Sequence, residues 1–212
     1  KGTYRLLVAV GLLGALGLGL FQLPAVQDGL FRRAVSGVMT APAAPFEGLQ
    51  VVVCGSASPL GNSPNHAQAC LAVLTPEHFF LFDVGARAPL RIAQARLPLG
   101  RIDGIFLTHF HSDHIDGLGE LATLRWVNDA NTSPLPVYGA TGLDNIVNGF
   151  NMAYQLDTVY RHAHHGDSVA PLSGAGMKAN SFNKPKEGAS LVLIETSDLK
   201  IETFAVDHSP VD

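Results

Sequence analysis

The sequence predicts an α/β layered sandwich, and three observations carry that expectation. Apolar runs of strand length alternate with segments of helical spacing, strands first and mixed elements after. A chain of 212 residues can hold one domain with a substantial buried core. Hydrophobic residues make up 47% and charged residues 15%, the balance of a globular protein rather than a disordered one.

The N-terminal segment has a different character. From Leu6 to Phe21 no residue is charged, and the run reaches the ~20 residues of a membrane span only if it continues over Gln22-Leu23-Pro24. Glycines at 11, 14, 17 and 19 would weaken a soluble helix and are better tolerated in lipid. Residues 1–33 are therefore expected to form a membrane anchor, with a cleaved signal peptide as the competitor. Lys1 and Arg5 favour a cytoplasmic N-terminus and an extracytoplasmic, periplasmic-type location for the remainder of the chain; Arg32 and Arg33 weigh against that orientation.

Residues 34–47, rich in Ala and Pro, read as a linker, and residues 48–212 as the folded domain. Strands are predicted at 49–54, 69–74, 79–84 and 102–108. Between the last two, residues 89–97 have helical spacing and stop against Pro98 and Gly100. A helix is predicted from near Asp113 to about Trp126, a short strand at 136–138 and a helix over 143–160. Residues 191–195 and 199–206 read as a hairpin turning at Thr196-Ser197-Asp198.

Bulk properties exclude some classes. Two cysteines, Cys54 and Cys70, rule out a disulfide-dense scaffold; one bridge and two buried thiols are equally compatible with their positions at neighbouring strand ends. A net charge of -4 counts against a nucleic-acid partner without excluding one. No particular oligomeric state is implied.

The chemistry concentrates in one segment. The buried-looking strand 102–108 delivers Thr108-His109-Phe110-His111-Ser112-Asp113-His114, four ligand-type residues within six positions. Alternate side chains of an extended backbone point the same way, so His109 and His111 can converge on one ion. The turn into a helix then aims Asp113 and His114 at a neighbouring position, where a second ion would sit. Imidazole and carboxylate donors suit zinc best, with iron or manganese as alternatives. Two such ions can share a hydroxide and supply it as a nucleophile at neutral pH. An unrelated polar loop would rarely be so dense in ligands.

This segment resembles the T-H-x-H-x-D-H signature of metallo-β-lactamase-fold hydrolases. Four further segments resemble the ribonuclease Z-like and arylsulfatase-like branch of that superfamily: Val53-Cys54-Gly55-Ser56-Ala57-Ser58-Pro59, Phe82-Asp83-Val84-Gly85, Pro136-Val137-Tyr138-Gly139 and Val206-Asp207-His208-Ser209-Pro210. The resemblance implies an αββα sandwich and covers residues from about 50 to 212. It makes His109, His111 and His208 ligands of a first metal, and Asp113 and His114 ligands of a second. Asp113 doubles as the catalytic carboxylate orienting the attacking water. Asp83 is expected to hydrogen-bond the metal loop from behind. Asp212 stands too close to His208 for the family's metal-bridging aspartate, so that residue and a further histidine are expected beyond it, in a domain cut short at its C-terminus.

Other candidates carry less. His162, His164 and His165 either line a substrate cleft or end a helix, and His66 and His78 are expected on the surface. Ser56 and Ser58 lack a base at motif spacing, and no Gly-Lys-Ser/Thr ending marks a phosphate loop. The leading expectation is a membrane-anchored dinuclear zinc hydrolase acting on a phosphodiester or related ester, small molecules included. A lactonase or β-lactamase-type carbonyl hydrolase is the alternative, and a non-catalytic tethered domain the third. Transfer-RNA processing would need a cytoplasmic site and a basic exosite, which the N-terminal run and acidic balance disfavour.

Overall fold

The computed structural model describes residues 17, 19–27, 29–30, 47–60 and 65–208. The chain divides into two compact units, Lys1–Ala41 and Pro42–Asp212. In the first, residues 19–21 and 24–27 are helical, and most of the expected anchor lies outside the described residues. Among those described, no helix is long and apolar enough to cross a membrane.

The second unit is built on a six-stranded sheet in simple sequence order, β1 (Gln50–Gly55), β2 (Cys70–Leu74), β3 (Phe79–Phe82), β4 (Gly104–Phe106), β5 (Leu135–Ala140) and β6 (Met177–Phe182). The first three strands are antiparallel, and β3 to β6 run parallel. Parallel neighbours require crossovers, supplied by α1 (Ala88–Gln94), then α2 (Ser112–Ile115) with α3 (Leu118–Asn128), then α4 (Leu143–Ala153) with α5 (Gln155–His165). Right-handed crossovers between successive neighbours put helices on one face. On that face Phe79, Leu81, Ile105, Leu135 and Val137 form one buried cluster with Ile92, Leu118, Leu121, Leu143 and Val147. The other face carries an aromatic ladder, with ring centroids 5.2 Å apart for Phe82–Phe106 and 4.7 Å for Phe106–Tyr138. A separate two-stranded sheet comes next in the chain, β7 (Ser190–Glu195) paired with β8 (Lys200–Phe204).

Several boundaries differ from the sequence expectation, each for a local reason. The helix expected from Asp113 to Trp126 breaks at Asp116-Gly117, where the Gly117 N–H donates to the Val84 carbonyl at 2.9 Å and ties the chain to the end of β3. The helix expected over 143–160 is two helices meeting at Tyr154, which leaves helical geometry. Strand β6 is an addition to the expected elements. Its sequence, Met-Lys-Ala-Asn-Ser-Phe, buries only Met177 and owes its conformation to the edge that β5 offers, in register from Leu135↔Met177 to Ala140↔Phe182.

Cys54 and Cys70 form a disulfide between β1 and β2, which decides the question their positions left open. Arg125 is a buried cation. Its Nε donates to the Ile102 carbonyl at 2.7 Å and an Nη to that of Ser133 at 2.8 Å, while burial pushes its pKa down. Because β3 to β6 are parallel, their C-terminal ends share one edge, the edge where open α/β sheets place their ligands.

Candidate metal centre

At that edge, β3 ends in Asp83, which adopts a left-handed backbone (φ 59°) and turns the chain across the end of β4. Asp83 is almost fully buried and its carboxylate is fully engaged. One oxygen accepts the Thr108 backbone N–H at 2.9 Å; the other accepts the Thr108 hydroxyl at 2.8 Å and lies 2.8 Å from His114 Nδ1. Asp83 therefore holds Thr108 and His114, the two ends of this loop. A proton on His114 Nδ1 serves that contact and leaves Nε2 with its lone pair, 3.5 Å from an Asp113 carboxylate oxygen.

Two glycines make the loop's approach feasible. A Cβ on Gly85 would stand 2.0 Å from the Asp113 carbonyl oxygen, so only glycine lets α2 pass this closely. Its neighbour Val84 donates its N–H to the His114 carbonyl at 2.8 Å. On the other side Phe110, between the two histidines, points away from them and packs against the core. Its ring is seated over Gly139, where a Cβ would come within 3.2 Å. Sequence reasoning passes over Phe110 and Thr108; alternation along His109-Phe110-His111 is the available signal for the first.

His109 Nε2 lies 2.9 Å from His111 Nδ1. His208 arrives from beyond β8, its ring centroid 4.5 Å from that of His109 and 5.9 Å from that of His111. One ligand atom from each of His109, His111 and His208 lies within 4.8 Å of the others. The structure thus gathers these three residues at one point and Asp113 with His114 at the next, the His109 and His114 rings being 4.0 Å apart. His162, by contrast, ends α5, its Nδ1 2.9 Å from the Ala170 carbonyl oxygen, and with His164 and His165 forms the last turn of that helix.

The donor set fits a divalent ion. Two imidazole nitrogens sharing a tetrahedral zinc stand roughly 3.3 Å apart, which the His109–His111 pair reaches by a small opening. Burial, followed by the imidazoles of His114, His208 and His111, holds the His109 pKa below its usual 6.5, and the Asp83 carboxylate only partly opposes this. A neutral imidazole is the form that binds metal.

The same shift has a stability consequence. Between the folded pKa of His109 and 6.5 the unfolded chain binds more protons at this group than the folded one. Its contribution to the stability of the metal-free protein is therefore complete above pH 6.5 and declines as pH falls below it. Urea midpoints on both sides of that pH should show a decline that His109→Gln reduces; an identical slope in the variant would contradict the assignment. A second substitution probes the support. Asp83→Asn keeps an acceptor but loses the charge facing His114 and Thr108, and should weaken zinc binding by roughly 10- to 100-fold in a competition titration.

Comparison with known proteins bears on the fold and the sequence. The family model described as "Anti-Pycsar protein Apyc1" matches residues 49–143. Ribonuclease Z of Mycobacterium sp. (strain KMS) is 36% identical over 124 residues, 58% of this chain and 43% of the relative. Ribonuclease Z of Mycolicibacterium gilvum is 33% identical over 125 residues, with the same coverage of 58% and 43%. The chain thus spans less than half the length of these curated relatives. Among solved structures, the short form of human tRNase Z superposes with a TM-score of 0.52 at 21% identity, covering 74% of this chain and 59% of that one. The metallo-β-lactamase-fold protein YhfI of Bacillus subtilis has a TM-score of 0.47 at 18% identity, with coverage of 74% and 56%. The chain has the metallo-β-lactamase fold and is ribonuclease Z-like in sequence over 58% of its length.

Proposed function

We propose that this protein is a metal-dependent hydrolase of phosphodiesters or related esters. The observation that carries the proposal is the convergence of His109, His111 and His208 within 4.8 Å, beside Asp113 and a His114 ring held by Asp83. His109, His111 and His208 would hold one ion, and Asp113 and His114 would contribute to a second. Zinc suits these donors best, with iron or manganese as alternatives. When bound, such ions supply an acidified water and positive charge against the ester under attack. Asp113, 7% exposed on the turn of α2, would orient a water and accept its proton at a carboxylate oxygen. Asp83 keeps the His114 ring in one tautomer through the reaction.

The ribonuclease Z names of the relatives support a phosphodiester over a carbonyl substrate. The apolar run from Leu6 to Phe21 supports membrane attachment. The Cys54–Cys70 disulfide supports an oxidising, extracytoplasmic setting.

The test is turnover by the zinc-loaded chain of a chromogenic phosphodiester, a lactone and a cephalosporin, with His111→Ala as the blank. Phosphodiester cleavage that disappears in the blank is expected. Cleavage of the lactone or cephalosporin alone would move the protein to the carbonyl hydrolases, and silence on all three would count against catalysis by this chain.

A further inference from the structure

Of the residues gathered at the metal centre, His208 is the most remote in sequence and reaches it by a separate route. It comes after the β7–β8 hairpin, which among the described residues does not pair with the six-stranded sheet. A two-stranded hairpin is marginal by itself. This one buries little: Leu191, Val192 and Phe204 are 39%, 41% and 64% exposed. Among the described residues apolar burial thus does little to fix the hairpin, whose seat determines where His208 arrives.

The polar contacts point to one residue. Side-chain contacts join the hairpin to the six-stranded unit at Asp198, in the hairpin turn. One carboxylate oxygen accepts the hydroxyl of Thr75 at 2.6 Å, and Thr75 is 3% exposed. The other lies 3.6 Å from His78 Nε2. His78 is itself fixed, with Nδ1 3.4 Å from an Asp103 oxygen that also accepts the Phe79 N–H at 2.9 Å. Thr75 and His78 close the turn that opens β3, the same strand that ends in Asp83. One strand thus meets the hairpin at its entrance and the metal loop at its exit.

We propose that Asp198 is a positioning residue for the metal centre, clamping the hairpin turn to the β2–β3 turn so that His208 meets His109 and His111. The inference rests on those three histidines forming one metal site. The clamp is charged at neutral pH, since the hydroxyls of Thr196 and then Thr75 hold the Asp198 carboxyl below its usual range. Without the clamp the hairpin samples other seats, and apparent metal affinity falls by the fraction of molecules still correctly docked.

The test uses the full chain. Zinc affinity is measured by competition with a chromogenic chelator, and amide hydrogen exchange is followed across 200–208 and across β3 to β5. Asp198→Ala is expected to raise the apparent zinc Kd roughly five- to tenfold and to speed exchange in 200–208, leaving β3 to β5 unchanged. Thr75→Val should reproduce part of the effect and add little to Asp198→Ala, and Asp198→Asn should recover part of the affinity. Glu202→Ala, which breaks only the Lys200–Glu202 pair within the hairpin, should bind zinc as the native protein does. Native-like affinity and exchange in both Asp198→Ala and Thr75→Val would overturn the clamp while leaving the metal site intact. A native chain that takes up no zinc would overturn both. Should Asp198→Ala misfold, Thr75→Val and Asp198→Asn decide between the same outcomes.

Discussion

Alanine at position 111 is expected to lower phosphodiester turnover by at least ~10³-fold and to strip the three-histidine site of its metal. His111 contributes one of the two nitrogens that meet at 2.9 Å and is one of the three residues gathered at the site. The protein should nevertheless fold. His111 is exposed, precedes α2 without capping it through its side chain, and takes no part in the buried cluster. Circular dichroism and the urea midpoint of the metal-free variant should therefore match the native protein within about 0.5 kcal/mol. Zinc content and kcat/KM measured on the same preparation check both halves. Retained zinc with lost turnover would shift His111 from ligand to catalytic group, and retained turnover would remove the site from the reaction altogether.

Gly85→Ala should have the largest effect on the fold itself, for a steric rather than a conformational reason. The backbone at Gly85 does not lie in the left-handed region, yet its Cβ would fall 2.0 Å from the Asp113 carbonyl oxygen and 2.6 Å from Gln68 Cβ. Neither neighbour can yield. The Asp113 carbonyl belongs to α2, which is held by the Val84–His114 hydrogen bond, and Gln68 is fixed by its side-chain contact to the Ala86 N–H at 3.1 Å. Relief requires lifting the metal loop off β3, at a cost of about 3 kcal/mol or more. The loss should appear together in the urea midpoint and in zinc affinity. A variant within about 0.5 kcal/mol of native stability, the size of an ordinary surface substitution, would show that the loop adjusts more easily than this packing allows.

The parts of the molecule legible in the sequence are those whose causes are local. His109, His111, Asp113 and His114 stand within six positions, and β3 and β4 are apolar enough to be read as buried strands. The illegible parts depend on partners far along the chain. His78, expected as a surface residue, is half-buried between Asp103 and Asp198, 25 and 120 positions away, and nothing in its own neighbourhood signals either. Strand β6 lacks an apolar pattern because its conformation is imposed by β5. The helix break at Gly117 reflects a bond to Val84 that no helical periodicity encodes. Asp83 is legible through its motif, but its simultaneous hold on Thr108 and His114 is a property of three segments brought together.

The disulfide has a consequence for the outermost strand of the sheet order. Strand β1 lies at one end of the sheet order, and Leu49, Val51 and Val53 are 64%, 53% and 67% exposed. The Cys54–Cys70 bond ties this strand to β2 across a separation of 16 residues, and a covalently closed loop of that size is worth about 3 kcal/mol against the open chain. In the oxidised protein β1 is thus held to its native neighbour, and thiol reduction removes that contribution from the hold.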